Sequence, residues 1–374
     1  MAFCSFCGKP LLEGAAFCGN CGRPVASTAG SSESSSQGNQ SEKPSGKGNS
    51  WFEHLNDYVG NDAPVDLNWR VLFSDVNKKH TSEEAEEIFI YGTHKTTPSI
   101  NNVSKDWPHP WLYSRVFLAF TIAFAMLWVC CVTFKNANSV PGLIVVGSFA
   151  GPLAVMIMAF ELNIWRNISF LEVLKIFFVG GCASLVVTLA LFSFVGNLQS
   201  DFIGAFIVSI VEETGKVVIV YYFIKRLGKT YILCGLLIGA AVGAGFAAFE
   251  SAGYAMQQRD LMGVVSNILL RGFLSPGGHV VWAAISGVGL VVAAKELGEI
   301  STSLFTNIRF LRLFVIPVVL HGLWDAFAFA GLTLLILVGL IMLAWVVVLI
   351  LVNMGLSEVS KVQANIGKEQ NNYA

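Results

Sequence analysis

The run SIVEETGKVVIVYY, residues 209–222, sets Glu212, Glu213 and Lys216 in the middle of an otherwise apolar stretch. A charge at the centre of a bilayer costs about 2.5–3.5 kcal/mol on insertion scales, so such groups mark chemistry or pairing. Further along, Glu250 closes FAAFE, His279 closes SPGGH, and His321 and Asp325 bracket HGLWD. Carboxylates and imidazoles move protons, activate water and bind divalent cations. On a helix, Glu212 and Lys216 share a face at i, i+4, as do His321 and Asp325, while Glu213 meets Lys216 at i, i+3. An ion pair between Lys216 and one glutamate that only glues helices explains two of these charges. It leaves Glu250, His279, His321 and Asp325 without a role. Glu161 falls near the inner end of its apolar run, where it can reach water, and is set aside.

A second cluster opens the chain. FCSFCGKP at 3–10 is echoed by FCGNCGRP at 17–24, so Cys4, Cys7, Cys18 and Cys21 form two CxxCG knuckles. Four thiolates at this spacing suit one tetrahedral, structural Zn²⁺, with no open position for catalysis. Lys9 and Arg23 can offset the charge of the tetrathiolate. Two disulfides are the alternative. The module resembles the short zinc ribbons found at the ends of many bacterial proteins. Cys130, Cys131, Cys182 and Cys234 lie in apolar runs and read as small packing residues.

The elements that must position the first group are membrane helices. The chain is 54% hydrophobic and 13% charged, with a mean hydropathy of +0.62; a soluble protein carries about 25% charged residues. A net charge of −1 gives no reason to expect a nucleic-acid partner. The segmentation predicts a zinc ribbon at 1–25, a flexible Ser/Gly linker at 26–50, a cytosolic lead-in at 51–112, a membrane domain at 113–356 and a cytosolic tail at 357–374. In the lead-in, HTSEEAEEIFIYG predicts a helix capped by Thr81 and Glu84. His54, His80, His94 and His109 there read as solvated.

A span needs about 20 apolar residues. Eight are predicted, near 113–134, 140–162, 170–196, 201–224, 231–256, 276–295, 311–330 and 331–354, the last two joined by a turn at Gly331. The stretch 260–275 is too short and mixed to span and reads as interfacial. The fold class is thus an all-α polytopic membrane protein with a small N-terminal ribbon. With the N-terminus inside, inner loops and flanks hold Arg115, Arg166, Lys175, Lys225, Arg226, Lys229, Lys295, Arg309, Arg312, Lys361 and Lys368. The outer side holds Lys135, Arg259 and Arg271. That asymmetry places both termini in the cytoplasm, where thiols stay reduced and favour metal. Counting about 1.5 Å per residue from the outer ends puts Glu212, Glu250, His321 and Asp325 at overlapping depths in the outer half of the bilayer. Gly235, Gly239 and Gly243, spaced by four, predict close helix packing in the fifth span.

With these residues in place, EETGK fits EExxK, FAAFE fits FxxxE and HGLWD fits HxxxD, in order on successive late spans. Residues 115–355 thereby resemble the PrsW-type intramembrane proteases of bacteria, distant relatives of the CAAX prenyl endopeptidases and the Abi immunity proteins. Those relatives carry FxxxH where this chain has FxxxE. His279 also looks like a histidine recurring in the family between the second and third motifs. The resemblance implies peptide hydrolysis in a bacterial cell membrane. It implies a membrane-anchored protein substrate such as an anti-sigma factor, and Glu212, Glu213, Lys216, Glu250, His321 and Asp325 as site residues. Two schemes are open. In one, Glu212 activates water directly and His321 stabilises the oxyanion or protonates the leaving amine. In the other, Glu250, His279 and His321 bind Zn²⁺ and Glu212 or Glu213 deprotonates the water. The competing classes are a proton-coupled transporter, which also uses buried carboxylates, and a non-catalytic scaffold or sensor whose ribbon binds a cytosolic partner.

Overall fold

The computed structural model describes residues 50–62, 67–196, 201–273, 275–329 and 334–372. The ribbon cysteines, the linker to residue 49 and the turn at Gly331 lie outside them. Every regular element among the described residues is helical. The lead-in contains α1 (Ser50–Val59) and α2 (Ser82–Phe89). The bundle begins with α3 (Leu112–Val132) and α4 (Val140–Leu162). The third span is α5 (Phe170–Lys175) continued through a π turn into α6 (Gly181–Val195). Then come α7 (Phe202–Leu227), α8 (Ile232–Met256), the short α9 (Leu261–Ile268), α10 (His279–Leu297), α11 (Ile308–Phe329) and α12 (Leu334–Asn372).

Seven of these segments are long and apolar enough to cross a membrane. At 26 residues α7 is long enough to be the eighth. Glu212, Glu213 and Lys216 keep it out of a count made by composition, and all are buried inside the bundle. Its ends follow local rules. Asp201 Oδ1 accepts the Gly204 N–H at 2.7 Å, and Gly228 closes the helix in the left-handed conformation at φ +59°.

The core is built around α8, whose apolar window is almost wholly buried. Its glycine stripe is the contact face for α10. A methyl group at Gly239 would lie 2.1 Å from the Ala283 carbonyl oxygen, and one at Gly243 2.3 Å from that of His279. The absence of these side chains lets the two backbones touch, and it sets the start of α10, with His279, against the last turns of α8 that carry Glu250.

One end of the bundle is tied together by polar caps. The Glu161 carboxylate accepts the N–H groups of Trp111, Leu112 and Tyr113 at 2.8, 2.9 and 3.0 Å, so it anchors the free amides that open α3 rather than facing water. Glu358 accepts the Ile232 N–H at 2.8 Å and pairs with Lys295, joining the start of α8, the end of α10 and α12. At 39 residues α12 is about 58 Å long, nearly twice a bilayer core of about 30 Å. Its extension reaches the lead-in, where Gln363 donates to the carbonyls of Ile100 and Val103 at 2.7 and 3.0 Å. In the lead-in the capping box forms as expected from Thr81 and Glu84. His54 and His94 are exposed, but His80 is not solvated. Its ring stacks on Trp111 at 3.7 Å and its Nε2 meets the Asp75 carbonyl at 2.9 Å, because a planar ring covers the indole that would otherwise face water.

Candidate active site and metal centre

Four helices and one non-spanning segment converge away from the tied end. From α7, Lys216 Nζ lies 2.5 Å from Glu213 Oε1 and 2.7 Å from His279 Nδ1. Of the two glutamates within reach of Lys216 by spacing, it is Glu213 that takes the ammonium. From α11, His321 Nδ1 donates to that same Glu213 oxygen at 2.9 Å. His321 Nε2 then faces two acceptors, Asp325 Oδ2 at 3.3 Å and Glu212 Oε2 at 3.7 Å. From α10, His279 Nε2 lies 2.9 Å from Glu250 Oε2 on α8. All seven site residues expected from the sequence are thus in one connected network.

The hydrogen bonds fix ring states. An ammonium only donates, so His279 Nδ1 accepts and its Nε2 carries the proton given to Glu250. Glu213 is ionised beside Lys216, so His321 carries its proton on Nδ1. The His321 Nε2 lone pair then points at two carboxylates, an arrangement that holds together only around a proton or a cation.

Donor atoms of Glu212, His279 and His321 lie within 4.8 Å of one another. This differs from the expected set of Glu250, His279 and His321. Glu250 is held by Arg271, whose Nη2 is 2.5 Å from Glu250 Oε2. The residues fit a divalent metal on three grounds. Two imidazoles and one carboxylate are an ordinary catalytic zinc set. Glu213 behind His321 is the outer carboxylate such a ligand requires. The network also sets four carboxyl groups, Glu212, Glu213, Glu250 and Asp325, against two basic side chains, Lys216 and Arg271, an excess of acidic groups that suits a bound cation. Ligation through His279 Nε2 requires its proton to move to Nδ1, which then no longer accepts from Lys216.

Glu212, Glu250, His279, His321 and Asp325 line a cavity of about 300 Å³, together with Tyr254, Asn267, Arg271, Trp282 and Trp324. None of these last five is a site residue by the sequence reading, and two of them act on the network directly. Trp282 stacks on His321 with centroids 4.4 Å apart and holds the ring plane. Arg271 is an outer-side charge by the sequence reading. The segment that carries it, α9 and the π turn Leu269–Phe273, packs on α4 and α8. A lone arginine in the apolar run ILLRGF was the available signal.

Residues 3–25 match the zinc-ribbon domain. No curated protein and no solved structure matches the chain. Residues 169–352, which run from the start of α5 into α12 and contain every residue of this network, match the family described as PrsW family intramembrane metalloprotease. The helical domain that builds the site therefore carries the match to the PrsW family of intramembrane metalloproteases, and the chain joins this membrane protease domain to an N-terminal zinc ribbon.

Proposed function

We propose that the chain cuts membrane-anchored proteins within the outer half of a bacterial cell membrane, both of its own termini being cytoplasmic. The observation that carries this reading is the convergence of Glu212, His279 and His321 on a cavity inside the bundle. Glu212, His279 and His321 would hold zinc, which when bound makes water acidic enough to attack a peptide carbonyl at neutral pH. Glu213 fixes the tautomer of His321 and Lys216 neutralises Glu213. Asp325 Oδ2, next to His321 Nε2, is placed to hold a proton for the leaving amine. Trp282 and Trp324 form an apolar part of the cavity wall. The resemblance makes an anti-sigma factor a candidate substrate, and the ribbon suits recruitment of a cytosolic partner.

Two measurements test this. Mass-spectrometric mapping of products from a library of tagged single-span substrates is expected to place cuts in the outer half of the span. Cuts in the inner half overturn the depth assignment. The full-length chain purified in detergent is expected to hold about two zinc ions, one in each site. Cys4→Ser/Cys7→Ser and His279→Ala/His321→Ala should each lower that by about one. An unchanged zinc content in the histidine variant overturns the membrane metal site.

A further inference from the structure

The segment of α9 and its π turn belongs to none of the three motifs, yet it delivers a guanidinium to the cavity wall. Arg271 Nη2 pairs with Glu250 Oε2 at 2.5 Å, and its guanidinium carbon sits 4.3 Å from the Tyr254 ring centroid. Its Nε is buried without a hydrogen-bond partner among the described residues, while the side chain as a whole keeps 27% exposure. A guanidinium offers five N–H donors and no acceptor, so the pair with Glu250 leaves donors uncommitted at the cavity. Asn267, one turn earlier, lines the same cavity, and its buried Oδ1 also has no partner among the described residues. Neutralising Glu250 explains one contact of Arg271. It explains neither the spare donors nor Asn267.

A membrane-spanning helix satisfies its own backbone, because lipid supplies no hydrogen bonds. To be cut, the segment around the scissile bond must leave the helix. Its freed carbonyls and N–H groups then lack partners in a medium where each unsatisfied group costs several kcal/mol. A protease working at this depth has to supply those partners. A cation with spare N–H groups and an amide oxygen one turn away match the two halves of a peptide unit.

Resting on the endopeptidase reading above, we propose that Arg271 and Asn267 are the substrate-backbone docking point. Spare N–H groups of Arg271 hold a carbonyl of the unwound substrate segment, and Asn267 Oδ1 accepts a substrate N–H. Glu250 keeps the guanidinium in place.

The test is steady-state cleavage by the full-length chain in detergent, using a tagged single-span substrate from the library above. Arg271→Gln is expected to raise KM about 10-fold or more and to leave kcat within about threefold, as for loss of a charged hydrogen bond used in binding. Glu250→Gln/Arg271→Gln should keep that rise relative to Glu250→Gln alone. Asn267→Ala, which leaves the ion pair intact, should raise KM by about threefold or more. Recovery of KM in the double variant, or an unchanged KM in both Arg271→Gln and Asn267→Ala, overturns the docking role and leaves the endopeptidase reading standing. A fall in kcat with KM unchanged also overturns it. A folded wild-type chain that cuts no member of the library removes the endopeptidase reading and this inference together.

Discussion

Glu212→Gln is expected to lower cleavage of a tagged single-span substrate by about 10²–10⁴-fold, the range for loss of a positioned acid–base group. The amide matches the carboxyl in shape, so packing around α7 is unchanged. What is lost is the negative charge facing His321 Nε2 at 3.7 Å. That charge serves the site in either chemical scheme, as the base for water or as the anionic donor beside two imidazoles. Thermal unfolding in detergent should stay near wild type and the ribbon zinc should remain, which separates a dead site from a misfolded chain. His321→Ala should match the loss of cleavage, because it removes the ring that links Glu212, Glu213 and Asp325. Cleavage by Glu212→Gln within about threefold of wild type would place the reacting centre elsewhere, most simply at Glu250 and Asp325.

The helices were legible because membrane burial writes itself into long apolar runs, and α7 shows how residue-level reading exceeds a hydropathy count. Its three charges disqualify it by composition, while their positions on one segment mark it as the functional span. The glycine stripe of α8 was equally legible, being local; its partner α10 was not. The pairing inside the site was only partly readable. Spacing alone allows Lys216 to reach either glutamate, and the choice of Glu213 is made by α10 and α11, which bring His279 and His321 to the same atoms. The exchange of Glu250 for Glu212 beside the two histidines depends on Arg271. That residue lies in a turn whose π geometry departs from the 3.6-residue period on which face assignments rest. Trp282 gave no signal, since a tryptophan in a span reads equally well as a lipid contact.

Lys216→Met tests whether the buried pair is architecture, chemistry or both. The Lys216 side chain is 1% exposed and that of Glu213 0%. Methionine keeps much of the length and apolar contact, including the face against the Phe246 ring, 4.5 Å from Nζ in the native chain. Removing one partner of a buried pair costs about 3–5 kcal/mol, because the other charge stays behind unpaired. The single variant should therefore unfold at clearly lower temperature in detergent and lose cleavage. Adding Glu213→Gln removes the stranded charge and should return most of the lost stability. It should not return cleavage. His321 Nδ1 would face a neutral amide in place of the carboxylate that fixes its tautomer, and His279 would lose the ammonium that packs 2.7 Å from its Nδ1 and orients the ring. A double variant that regains stability but not activity makes Lys216 and Glu213 positioning residues for the two imidazoles. One that regains both reduces them to a helix-joining ion pair, and the order imposed on His279 and His321 must then come from their other neighbours, Trp282, Glu250, Glu212 and Asp325.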